Sequence, residues 1–218
     1  LDVEQVMGKA QIISVRLPAG SVGPAAGRWV AMDIEMTGFR PVEGRSIIEV
    51  SAVAVSPSGA GGYVREACSW RINPRCPLNP IAIGVHGVRA EELADCPDFA
   101  DVAGDILAFI GSDPLVFHGA AGDVALLNQE LAVAGLPPLA NPVVCTEKLA
   151  RRRWPAERSR LPLVAERVGG TARTRHKRRR QQDGSVSVTG DYQHKSRADA
   201  EMTADIWLAL GGAGGALA

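Results

Sequence analysis

The alternation of apolar and polar positions predicts a group of strands first, then helices that alternate with shorter strands. Residues 1–27 form a mixed lead-in: a short apolar segment, Ile12-Ile13-Ser14-Val15, followed by Pro and Gly. From Trp29 an apolar run reads as a buried strand that finishes with Asp33 and Glu35, one residue apart, before Thr37 and Gly38 end it. A loop is expected at 41–44. Residues 46–55 (SIIEVSAVAV) are rich in β-branched side chains and predict a second strand. Pro57-Ser58-Gly59 predicts a turn, and residues 67–72 a third strand that stops at Asn73-Pro74. Links this short favour antiparallel neighbours. Residues 73–96, with Pro74, Pro77 and Pro80, read as a long irregular stretch that holds Val85-His86-Gly87-Val88.

Further on, Phe99, Val102, Ile106 and Phe109 recur at helical steps after Pro97, and residues 111–114 end that helix. Residues 114–118 (PLVFH) predict a short buried strand, 119–122 a sharp turn, and Asp123 the start of the next helix, striped by Val124, Leu127, Leu131 and Ala134. Val143-Val144-Cys145 predicts another strand, with helices from Glu147 and over 161–168. The last helix spans 196–210, with Met202, Ile206 and Leu210 stepping by four, ahead of a Gly-rich tail at 211–218. The pattern divides the chain into a lead-in, one domain over 28–210, and that tail.

Charge changes the picture more than composition does. The net charge is zero, yet residues 148–197 hold 15 of the 24 Lys and Arg with four acids, so that segment is +11 and the remainder −11. The densest part is Arg173, Arg175, Lys177, Arg178, Arg179 and Arg180, within a basic insertion at 171–193. It is expected to be mobile or to order on a partner, and the asymmetry suggests a face for a polyanion. The bland alternative is a solvated loop. No run approaches a membrane span, and the early Asp2 and Glu4 argue against a secretory signal. Cys68, Cys76, Cys96 and Cys145 form no Cys-x-x-Cys pair, so free thiols in a reducing cytoplasm are the expectation.

Asp33 and Glu35 carry the first chemical signal. Residues i and i+2 of a strand share a face, so two carboxylates stand side by side at its polar end. A divalent cation between them would account for that placement, because hard cations take carboxylate oxygens. A polar strand end reaching solvent is the simpler alternative. Asp123, after a strand and a Gly-rich turn, fits either a site or a plain N-cap. Asp199 is open in the same way, since Ser196-x-x-Asp199 matches a capping box. His194 precedes Asp199 by five residues, so on one continuous helix the two would diverge by about 140°. Both serve one site only if His194 lies ahead of the helix. His86 stands beside a Gly and is a weaker candidate.

Taken in order, these signals make the chain resemble the DEDDh (DnaQ-like) 3′–5′ exonucleases, above all the proofreading epsilon-subunit branch of bacterial DNA polymerase III. The resemblance rests on Asp33, Glu35, Asp123, His194 and Asp199. It extends through Ser46-Ile47-Ile48-Glu49-Val50, Val85-His86-Gly87-Val88, Leu115-Val116-Phe117-His118 and Thr146 to Arg151, and covers about residues 28–210. His194 fits the His branch of the family, since its Tyr branch places Tyr four before the last Asp, where Lys195 stands.

The resemblance implies an α/β, ribonuclease H-like fold, in which an antiparallel three-strand meander joins parallel strands and helices cover both faces. It implies two Mg²⁺ or Mn²⁺ ions held by Asp33, Glu35, Asp123 and Asp199, with His194 as general base. Ile34, Met36, Thr37, His86, His118, Arg178 and Arg179 are the expected substrate contacts. The expected partners are a nucleic-acid 3′ end, single-stranded DNA first, and a DNA polymerase subunit, with no membrane.

Three departures stand out. Met36 replaces the family's Thr and makes Asp-Ile-Glu-Met-Thr-Gly similar to the oligoribonuclease motif. Gly119 and Gly122 stand where the family has Asn and Phe, so an aromatic ring that would pack against the terminal nucleotide is missing. A nuclease for RNA or short oligonucleotides is therefore one alternative. A nucleic-acid-binding polymerase-accessory module with a weak site is another.

Overall fold

A computed structural model describes residues 11–13, 27–38, 46–58, 62–169, 177–180, 186–189 and 196–211. The expected loop at 41–44, His194, and most of the lead-in and tail lie outside the described residues. A six-stranded mixed sheet forms the centre. Its strands are β1 (Gln11–Ile13), β2 (Trp29–Met36), β3 (Ile47–Pro57), β4 (Tyr63–Arg71), β5 (Leu115–Phe117) and β6 (Val143–Cys145), in the spatial order β1-β4-β3-β2-β5-β6. β2, β3 and β4 form the antiparallel meander, and β5 and β6 continue the sheet in parallel with β2. Gln11–Ile13, from the lead-in, pairs antiparallel with the outer edge of β4.

The two faces of β2 serve different neighbours, because alternate side chains point to opposite sides. Val30, Met32 and Ile34 enter the larger core with Phe99, Val102, Ile106 and Ile110 of α3 (Phe99–Ile110) and Leu126, Leu127 and Leu131 of α4 (Ala120–Val133). Trp29 and Ala31 face the other way, onto Ala200, Ala204 and Trp207 of α7 (Ser196–Ala209). Trp29 and Trp207 meet edge to face with centroids 6.4 Å apart, worth about 0.5–1.5 kcal/mol beyond the area they bury. α5 (Thr146–Arg153) and α6 (Leu161–Arg167) close over the outer side of α7, where Ala150, Val164 and Ala165 pack on Met202 and Ile206.

Local differences from the sequence reading have physical causes. The stretch 73–96 is not irregular throughout: it contains α1 (Pro80–His86) and α2 (Ala90–Leu93). Asn79 caps α1 by accepting from Ile81 N at 2.8 Å, Pro80 begins it, and Gly87 in the left-handed region (φ 71°) ends it. α4 begins at Ala120 rather than at Asp123, because Gly119 supplies the turn at φ 95°. Asp123 is thus inside the first turn and is no N-cap. β4 starts four residues before the expected 67. Within the basic insertion, β7 (Lys177–Arg180) and β8 (Val186–Thr189) pair as an antiparallel ladder, so this part is not a bare loop.

Candidate active site

The site lies where the polar end of the sheet meets the first turn of α7. Along the α7-facing side, the register places Trp29, Val55 and Arg65 in one row and Ala31, Val53 and Ala67 in the next. The following rows are Asp33, Ser51 and Ser69, then Glu35, Glu49 and Arg71. Along β2 and β3 the face therefore turns from apolar to ionisable between Trp29 and Glu35, over seven residues. A β-bulge after Glu35 puts Ile48 out of the ladder, so that Met36 pairs with Ile47. Ile48 packs on Val88 and Leu93 instead, and Glu49 is kept opposite Glu35.

Beyond the bulge the chain is pinned. Thr37 N donates to Ser46 O at 2.9 Å, and Thr37 Oγ1 accepts from Ser46 N at 3.0 Å. Thr37 O accepts from Asn79 N at 2.9 Å, which ties the start of α1 to the end of β2.

Asp199 comes to this polar end from α7, one turn into the helix. Carboxylate oxygens of Asp33, Glu35 and Asp199 all lie within 4.8 Å of one another, with Glu35 and Asp199 buried and Asp33 half-buried. The cluster is the one group of this kind among the described residues. Burial, then the charges of Asp199, Glu35, Asp123 and Glu49, hold the Asp33 carboxyl well above the usual carboxylate range. Burial, then Asp199, Glu49 and Asp123, push Glu35 up from 4.5 to about 9. Asp123 is therefore close enough for its charge to act on both, although it stands outside the tight trio. Such packing of like charge is unfavourable unless protons or cations enter. Hard oxygen donors converging at this separation fit a divalent ion such as Mg²⁺ or Mn²⁺.

The remaining predicted residues divide by placement. Ile34 turns its side chain into the opposite core, so any contact at the site falls to its main chain. Met36 is half-buried at the strand end. His86 is buried, and its Nδ1 accepts from Val88 N at 3.0 Å. His118 is engaged at both ring nitrogens: Nε2 donates to Ser159 O at 2.7 Å, and Nδ1 lies 2.9 Å from Thr146 Oγ1. Burial lowers its pKa, and Thr146 Oγ1 also donates to Phe117 O at 3.2 Å. Arg178 and Arg179 stand on β7 opposite Val188 and Ser187. α7 begins at Ser196, so His194 lies two residues ahead of it, outside the described residues.

Glu49 is the acid that the sequence reading quoted without placing in the site. Its signal was present: Glu49 and Ser51 interrupt an apolar strand at a spacing of two, which puts polar groups on one face.

Comparisons with known proteins agree with this geometry. The family model for exonucleases of the RNase T type matches residues 30–177. DNA polymerase III subunit epsilon of Haemophilus influenzae is 30% identical over 192 residues, covering 85% of this chain and 68% of that protein. The Escherichia coli K12 epsilon subunit is 29% identical over 195 residues, covering 85% and 72%. Among solved structures, the nuclease domain of 3′hExo, a DEDDh family member bound to rAMP, matches with a TM-score of 0.65 at 16% identity, covering 85% of this chain and 92% of that one. Exonuclease X in complex with 5′ overhanging duplex DNA matches with a TM-score of 0.58 at 22% identity, covering 84% and 90%. At these identities the structural likenesses speak for the fold, and the family match and the epsilon relatives for the lineage. The chain belongs to the exonuclease family, as a DnaQ-like 3′–5′ exonuclease of the DEDDh type.

Proposed function

We propose that this exonuclease removes nucleotides one at a time from DNA 3′ ends and releases nucleoside 5′-monophosphates, in the manner of a proofreading subunit. The observation that carries the reading is the convergence of Asp33, Glu35 and Asp199 within 4.8 Å, with Asp123 near enough to add its charge. These four would hold two divalent ions, Mg²⁺ or Mn²⁺. When bound, such a pair stabilises the attacking and leaving oxygens of a displacement at phosphorus. The chain's own part is to keep the acids facing one another in a largely buried place, with the hydrogen bonds of Thr37 to Ser46 and Asn79 fixing the strand end. His194 would take the proton of the attacking water as the new P–O bond forms and the bond to the 3′ oxygen breaks. An unperturbed imidazole, with a pKa of about 6.5, suits that task near neutrality. The start of α7 at Ser196 supports its reach, because His194 then precedes the turn that carries Asp199.

The epsilon relatives favour DNA as substrate and a polymerase subunit as partner. The ladder of β7 and β8 carries Arg178 and Arg179, suited to holding phosphates without reading sequence. No described helix is long and apolar enough to cross a membrane. Met36 favours a second reading, trimming of RNA or short oligonucleotides. Gly119 and Gly122 favour a third, a binding module whose site is weak.

End-labelled single strands of DNA and RNA, digested in parallel with Mn²⁺, separate these readings. DNA should be shortened from the 3′ end, and Asp33→Ala should lower the rate by about 10³-fold or more while binding persists. Faster RNA cleavage would support the second reading, and binding without metal-dependent cleavage the third.

The missing aromatic generates a gain-of-function prediction. A side chain at Gly122 meets nothing within 4 Å of its Cβ, so the position is open. Base–aromatic stacking is worth about 1–3 kcal/mol, so Gly122→Phe should lower KM for single strands roughly five- to hundredfold. An unchanged KM would mean that position 122 does not face the terminal nucleotide.

Stability should depend on pH and metal together. A carboxyl whose pKa is raised by folding binds protons more tightly in the folded state, so its contribution is present below about 4.5 and lost as the pH climbs through about 9. Metal-free protein should therefore have a lower Tm near pH 8 than near pH 6, and Mn²⁺ should raise Tm more at the higher pH. Equal Mn²⁺ shifts at both would contradict the cluster as the binding place.

A further inference from the structure

A second set of polar groups lies behind the three gathered carboxylates, and the chemistry above does not use it. Glu49 faces Glu35 across the β2–β3 ladder and is only 7% exposed, yet it is not one of the acids whose oxygens gather within 4.8 Å. Both of its oxygens are committed elsewhere. Ser196 Oγ donates to Oε1 at 2.5 Å, and Arg71 Nε donates to Oε2 at 3.3 Å. Arg71 also donates from Nη1 to Glu92 Oε2, at the edge of α2, at 3.3 Å.

The proton directions follow from the inventory of donors. A carboxylate only accepts, so Ser196 spends its single proton on Glu49. The 2.6 Å contact between Ser196 and Ser51 is then donated by Ser51, and the 2.7 Å contact between Ser51 and Ser69 by Ser69. Donation runs from Ser69 to Ser51, from Ser51 to Ser196 and from Ser196 to Glu49, the terminal acceptor. Ser51 and Ser196 are fully buried, so a proton turned the wrong way has no water to meet.

We propose that Glu49 is a positioning residue: by accepting the Ser196 hydroxyl it fastens the first turn of α7 to the sheet and holds Asp199 toward Asp33 and Glu35. Ser196 and Asp199 are three residues apart and share a helix face, so any rotation of that turn moves both. Nearby, Ala200 and Ala204 pack on the sheet, but their small side chains give no directed contact, and the aromatic contact of Trp207 with Trp29 lies eleven residues further on, about 16 Å along the axis. Arg71 supplies the positive charge that lets a further carboxylate sit beside Glu35 without joining the site. This inference rests on the metal reading of the cluster, and the opposing reading makes Glu49 a direct ligand.

The test uses the full chain and two readouts: the rise in Tm on adding Mn²⁺, and the Mn²⁺ concentration that gives half-maximal digestion of a single strand. Ser196→Ala and Glu49→Ala should raise that concentration about tenfold or more and shrink the Tm rise, with a smaller change in kcat at saturating Mn²⁺. Glu49→Gln keeps an acceptor at Oε1 and should stay within about threefold of the parent. Ser196→Ala with an unaltered Mn²⁺ requirement and Tm rise would overturn the proposal. So would Glu49→Gln as damaging as Glu49→Ala, which would make the charge itself a ligand. If Glu49→Ala does not fold, Ser196→Ala against Glu49→Gln decides alone. Failure of the underlying reading appears separately, as Mn²⁺-dependent cleavage that survives Asp33→Ala, and the Tm readout still reports on Glu49 in that case.

Discussion

Mutual repulsion among buried carboxylates is the constraint that the rest of this structure answers. Asp33, Glu35 and Asp199 are brought within 4.8 Å, and Glu49 stands next to them. Left to themselves such groups separate or take up protons, and burial with the neighbouring charges holds the Asp33 and Glu35 carboxyls above the usual carboxylate range. A flexible loop could not hold them. Two are therefore built into a central strand, paired with β3 through the acids and with β5 up to Ala31, and the third into a helix buried between the sheet and α5–α6. Rigid elements give the precision that a functional constellation needs.

The division of labour on β2 makes this affordable. Its even-numbered residues bury apolar area against α3 and α4, while its odd-numbered residues face α7 and become polar toward one end. Stability and chemistry thus occupy opposite faces of one strand. The bulge at Ile48 and the Thr37–Ser46 hydrogen bonds mark where regular pairing stops and the site begins. α7 follows the same logic around its circumference. Met202 and Ile206 pack on α5 and α6, and the sheet-facing side carries Ser196, Asp199, Ala200, Thr203, Ala204 and Trp207.

That arrangement explains what was legible in the sequence. Strand alternation exposed Asp33 and Glu35 as a pair on one face, and the order of acids along the chain pointed to the family that the comparisons then identified. The stripe of Met202, Ile206 and Leu210 was visible because it is apolar, but it marks the α5–α6 side of α7. Apart from Trp207, the side that meets the sheet is built of small and polar residues, which give no hydrophobic signal. α1 and α2 were missed because seven and four residues are too few to show a helical period. The caps of α1, Asn79-Pro80 and Gly87, were the available clue. The hydroxyl chain through Ser51 and Ser196 joins residues 145 apart in sequence, and pairing at that distance is set by tertiary packing alone.

The central claim is that these acids share metal ions. Crystals grown with Mn²⁺ and a nucleoside 5′-monophosphate, measured for anomalous scattering from manganese, address it directly. The account predicts density bounded by Asp33, Glu35 and Asp199, with Asp123 at its edge and the phosphate of the nucleotide against it. Manganese bound elsewhere, with those carboxylates bridged only by protons or water, would contradict it.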